Sequence, residues 1–139
     1  MEILVNIKQL GKRKSKINRQ EFYIENKPET VEDLIRECVS TCVKDYNDRY
    51  EKKENPQPLS DQQINDMSEI GKIAFGINYG EKEADEKEAI DTATLAYEDG
   101  LYRIFIGTDE VGELNSKISL EENAEVTFIR LVMLAGRLW

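Results

Sequence analysis

Val126-Thr127-Phe128-Ile129-Arg130-Leu131-Val132-Met133-Leu134 is the stretch on which the fold turns. It predicts a strand from 126 to about 134. A strand with one wet face alternates apolar and polar residues, but here Ile129, Leu131 and Met133 oppose the equally apolar Phe128, Val132 and Leu134. Both faces of this strand therefore call for burial. Behind it follow Ala135, Gly136, Arg137, Leu138 and Trp139, where the indole alone would contribute about 2–3 kcal/mol to whatever covers it. Ahead of it, residues 101–106 form another strand, and the segment between the two carries the turn formers Gly107, Gly112 and Asn115.

At the other end of the chain, Ile3, Val5 and Ile7 recur at period two, the mark of a half-buried strand. Gly11 breaks the pattern, and Glu21-Phe22-Tyr23-Ile24-Glu25 resumes it, so residues 1–25 read as a hairpin with a long charged loop. Thr30 is a good helix N-cap, and Asp33 suits the positive end of the helix dipole. Val31, Leu34, Ile35, Cys38, Val39, Cys42, Val43 and Tyr46 then share one helical face, and the helix stops before Asn55-Pro56-Gln57-Pro58. Ser60 with Gln63 resembles a capping box leading to Ile64, Met67, Ile70, Ile73 and Ala74. Gly76, Asn78 and Gly80 mark a turn, and an acidic helix follows over roughly 82–97, stopped by Asp99-Gly100.

The order is strand, strand, helix, helical insert, strand, strand. It predicts an α+β, β-grasp (ubiquitin-like) mixed sheet with one main packing helix and a two-helix insertion at about 51–95, as a single domain over residues 1–139. In such a fold the first and last strands lie parallel at the centre of the sheet, with the helix over one face.

Ala96-Tyr97-Glu98-Asp99-Gly100-Leu101-Tyr102-Arg103-Ile104-Phe105-Ile106, with Leu120-Glu121-Glu122-Asn123-Ala124-Glu125-Val126-Thr127-Phe128 later, resembles the C-terminal half of the MoaD/ThiS sulfur-carrier family. The second segment is similar to that family's L-x-x-G-D-x-V-x-F turn and strand, and Thr30-Val31-Glu32-Asp33-Leu34 to the start of its helix. The resemblance implies a partner enzyme that adenylates a C-terminal diglycine, whose bare backbone threads a narrow channel. Here Gly136 matches the first glycine, but Arg137 stands at the second and Leu138-Trp139 follow, so the chain lacks the diglycine.

With 40% hydrophobic and 34% charged residues in 139, the composition is that of a globular domain with no membrane span. Two cysteines and no signal-peptide pattern predict a cytoplasmic protein. The net charge of −9 is uneven: residues 8–19 hold six basic side chains and no acid, leaving 13 basic residues against 28 acids elsewhere. Overall acidity disfavours nucleic-acid binding. The basic loop (Lys12, Arg13, Lys14, Lys16 and Arg19) has no interleaved aromatic, and suits an acidic protein partner better.

No catalytic constellation emerges. The absence of histidine removes the usual general base and zinc ligand. Cys38 and Cys42 read as small core residues, Gly71-Lys72 lacks the Ser or Thr and the preceding strand of a phosphate loop, and Glu81, Glu83, Asp85, Glu86 and Glu88 read as a solvated helix start. The expectation is a non-enzymatic, ubiquitin-like protein-interaction module without metal or cofactor. Its unidentified protein partner would bind through Leu4, Ile129, Leu131, Met133, Gly136, Leu138 and Trp139, with the basic loop as an auxiliary contact. Two matters stay open: the inserted helices could instead cover the outer sheet face, and a carrier or modifier activated at its C-terminus is the alternative function. The oligomeric state is not legible.

Overall fold

The computed structural model describes residues 1–9, 16–51, 71, 74–75 and 85–130. Among the described residues five strands, β1 (Glu2–Gln9), β2 (Lys16–Tyr23), β3 (Tyr102–Ile106), β4 (Asp109–Glu110) and β5 (Glu125–Arg130), form one mixed sheet in the order β2-β1-β5-β3-β4. The hairpin partners β1 and β2 run antiparallel, β5 lies parallel to β1, and β3 pairs antiparallel with β5 and β4. The sheet is accompanied by α1 (Val31–Glu51) and α2 (Glu86–Glu98), so the architecture is α+β. Among the described residues no helix is long and apolar enough to cross a membrane.

Alternation along the strands builds the core. Ile3, Val5 and Ile7 of β1, Val126 and Phe128 of β5, and Tyr102 and Ile104 of β3 are all buried on one sheet face. Against them lies the apolar stripe of α1, from Val31 to Val43, also buried. Cys38 and Cys42 belong to this stripe, which bears out their reading as core residues.

The start of α1 is closed by the protein itself. The first N–H groups of a helix have no acceptor within it, and here those of Val31, Glu32 and Asp33 each find one outside its backbone ladder. Val31 and Glu32 donate to the carbonyls of Ser116 and Leu114, and Leu34 to that of Thr30. Asp33 donates its N–H to Thr30 Oγ1 at 3.1 Å, the N-cap bond expected from the sequence.

α2 packs on α1 through Ala89, Ala93 and Ala96, residues small enough to let the helices approach closely. It begins at Glu86 rather than near 82, because the Asp85 side chain accepts the N–H groups of Lys87 and Glu88 and so sets the N-cap. Asp85, Glu86 and Glu88 are thus at a capped helix start, and Glu81 and Glu83 lie outside the described residues. At the other end Gly100, at φ 77°, donates to Tyr97 O while Leu101 donates to Ala96 O. This paired pattern is a Schellman stop, and its left-handed residue suits glycine.

Three strand expectations change. β2 begins at Lys16, five residues before the apolar run at 21, so Lys16 and Arg19 are strand residues and not part of a loop. Its first half has no alternating signal of its own and is held by its pairing with β1. β2 also ends at Tyr23, short of Glu25. β4 lies in what reads as loop: Gly107, at φ 63°, turns the chain so that Glu110 and Asp109 pair back onto Phe105 and Ile106. The predicted strand residues beyond 130, and the capping box at 60 and 63 with Ile64, Met67 and Ile70, lie outside the described residues.

Part of the inserted segment can be placed. Ala74 and Phe75 are helical and buried. The Phe75 ring meets Tyr102 and Phe128 edge-on at centroid distances of 5.4 and 5.1 Å. Arg130 Nη1 donates to Ala74 O at 3.2 Å. These residues therefore pack on the same sheet face as α1, not on the opposite one.

Candidate functional site

The sheet face turned away from α1 is built from the alternate strand positions: Glu21 and Tyr23 of β2; Leu4, Asn6 and Lys8 of β1; Glu125, Thr127 and Ile129 of β5; Arg103 and Phe105 of β3. No described element covers it. Leu4, Phe105 and Ile129 are half-buried within it, and Tyr23 is 50% exposed.

At its centre sits Asn6, only 7% exposed and the one buried polar side chain among the described residues. A buried amide destabilises unless its donors and acceptor are answered, and these are. Nδ2 donates to Glu125 Oε2 at 2.8 Å and to Thr127 Oγ1 at 3.2 Å, while Oδ1 accepts the Arg19 N–H at 2.7 Å. The last bond explains a local irregularity. The β1–β2 register shifts between Val5 and Ile7, and Arg19 adopts φ 48°. Its N–H leaves the regular ladder and is satisfied by the Asn6 side chain, in the manner of a β-bulge. Arg19 Nε also lies 3.6 Å from Glu125 Oε2, an exposed pair that contributes little by itself. Asn6, Lys8, Arg19, Glu125 and Thr127 together line a shallow depression of about 440 Å³.

Register sets the charges of this face in rows across the strands. Ile129 is flanked by Lys8 on one side and Arg103 on the other in one row. Asn6, Thr127 and Phe105 form the next, and Glu21, Leu4 and Glu125 the one beyond. Lys8 and Arg103 thus stand at one end of the face and Glu21 and Glu125 at the other, Arg103 lying beside Glu110 and Glu125 beside Arg19, with one aliphatic side chain inside each charged row.

Of the residues named from the sequence, the structure brings Leu4 and Ile129 onto this face, two rows apart. Arg19 borders it from β2. Leu131, Met133, Gly136, Leu138, Trp139, Lys12, Arg13 and Lys14 lie outside the described residues. Asn6, Phe105, Thr127 and Arg103 were not singled out in sequence. The alternation Tyr102/Ile104/Ile106 against Arg103/Phe105 is the local signal that could have found the β3 pair.

A second, larger hollow of about 810 Å³ opens beside β4, between the start of α1 and the end of α2. Glu32, Glu98, Glu110 and Glu113 line it, with Arg103 on its rim 3.9 Å from Glu110. Tyr97 closes one wall by donating its hydroxyl to Gly112 O at 2.6 Å.

Neither Cys38 nor Tyr102 is an activated nucleophile. Burial pushes the Cys38 thiol far above its ordinary value, with Glu37 adding to the shift, and does the same to the Tyr102 phenol, whose hydroxyl donates to Ala93 O at 2.7 Å. Both stay protonated, the wrong state for attack. Among the described residues no group of three or more cysteines and acids is placed to hold a metal ion. No protein-family model, no curated protein and no solved structure matches this chain.

Proposed function

We propose that the chain is a β-grasp, ubiquitin-like protein-interaction module, non-enzymatic, that docks its partner on the sheet face opposite α1. The observation that carries this reading is the sheet order β2-β1-β5-β3-β4, with β1 and β5 parallel at its centre and the helices with Phe75 all on one side. The other side keeps half-buried Leu4, Phe105 and Ile129 among charges, a mixture suited to a reversible interface.

The likeness to the sulfur-carrier turn supports the fold in a specific way. Asn123 occupies the glycine position of that turn and adopts φ 66°, a conformation that glycine enters freely and asparagine tolerates best among the rest. Leu120, Val126 and Phe128, the apolar positions of the same motif, are all buried.

Site-specific photocrosslinking in the native cell tests the docking face. A benzophenone side chain at position 105 or 129 is expected to capture protein, and one at the exposed Lys87 of α2 is not. Equal capture from both sides, or none from the sheet face, would refute the assignment.

A further inference from the structure

We infer that the partner seated on this face is a second copy of the same chain, in a two-fold dimer that sets basic row against acidic row. The inference rests on the docking-face reading above and adds the identity of the occupant.

A two-fold interface must be self-complementary, so that where residue i meets j, residue j meets i. The three rows satisfy this about one line. Lys8-Ile129-Arg103 lies on one side of the Asn6-Thr127-Phe105 row, and Glu21-Leu4-Glu125 lies on the other, at equal distance along the strands. Take an axis in the plane of the interface, running across the strands through the middle row. Rotation about it reverses position along each strand but keeps each strand over its own counterpart. The basic row of one copy then faces the acidic row of the other, and the reverse holds on the far side of the axis.

The consequences follow residue by residue. Lys8 arrives over Leu4 of the other copy, between the carboxylates of Glu21 and Glu125 that flank Leu4 in its row. Ile129 arrives over Glu125 of the other copy, one strand aside from that Leu4, and this offset approach of the two aliphatic side chains occurs twice per dimer. Phe105 lies on the axis and meets its own equivalent. Asn6 and Thr127 also lie on the axis row, and Asn6 arrives there with its amide already satisfied within its own chain. An axis parallel to the strands would instead stack the basic row on the basic row and the acidic row on the acidic row. The charge pattern thus selects one orientation of the pair.

Sedimentation of the full chain over a range of concentrations, at low and at high salt, tests this. A reversible dimer is expected that weakens as salt rises. Lys8→Glu, or Glu21→Lys, should each weaken it by about tenfold or more, because the two-fold repeats every clash. Mixing the two variants should restore association. In that heterodimer Glu at 8 meets Lys at 21 on one side of the axis, and the native Lys8–Glu21 pair forms on the other. A chain that stays monomeric, or a dimer indifferent to both substitutions, overturns the inference. A monomer whose positions 105 and 129 still crosslink to another protein overturns it while leaving the docking face standing, and a monomer that crosslinks to nothing removes both.

Discussion

At position 6 the strand pattern would accept any residue able to sit beside Thr127, yet the chain places an asparagine there and buries it. Its value lies in what it answers: the N–H that Arg19 withdraws from the ladder, and a carboxylate of β5. Asn6→Leu removes both answers and leaves the Arg19 amide without its acceptor. Such a loss costs about 1–3 kcal/mol. Urea unfolding should show a lower midpoint with unchanged slope. Cys38 and Tyr102 give the residue scale a pH signature. Burial raises both above their ordinary values of 9.0 and 10.0, so the folded state keeps protons that the unfolded state releases. Their contribution is complete below pH 9 and is lost as pH rises past 9 and then 10. Stability measured against pH should therefore begin to fall above about pH 9, and Cys38→Val should delay that fall towards pH 10, where Tyr102 takes over.

Among the elements, α1 is legible because its eight apolar positions repeat at the helical period and a true N-cap precedes them. β1 and β3 are legible because the apolar positions of one face, Ile3, Val5 and Ile7 or Tyr102 and Ile104, are core. What escapes is held from elsewhere. Ile17 alone among residues 16–20 is apolar, so only the neighbouring strand makes that stretch β; and two residues suffice for β4 because Gly107 turns it onto β3. α2 was visible as a helix but not as an alanine-faced one. Its buried positions Ala89, Ala93 and Ala96 set the distance to α1. Ala93→Leu should force the two helices apart and lower stability by about 1–3 kcal/mol, the usual penalty of overpacking. A thermal melt would register it, and Leu95→Ala, on the exposed side of the same helix, should leave the melt almost unchanged.

For the whole molecule, the candidate site was half legible. Excess apolarity on the last strand pointed to Ile129, and the first strand's outer positions to Leu4. The rows that give the face its two charged ends could not be read from the chain, because a row joins residues whose separation is set by register. Asn6 and Glu125 are 119 positions apart, and nothing local says that they touch.

The position of β5 also has a consequence in time. It is the last of the described strands in chain order, but it lies third in a sheet of five, between β1 and β3. A nascent chain emerging at about 5–20 residues per second therefore completes both flanks of the sheet, the β1–β2 hairpin on one side and β3–β4 on the other, before the strand that joins them exists. Until β5 arrives, β1 and β3 each present an unsatisfied inner edge, the kind of template that other chains can pair with. Native pairing there must also wait for contacts of long sequence separation, which slow folding. The interval before β5 slots in is the period when this protein most needs protection from aggregation.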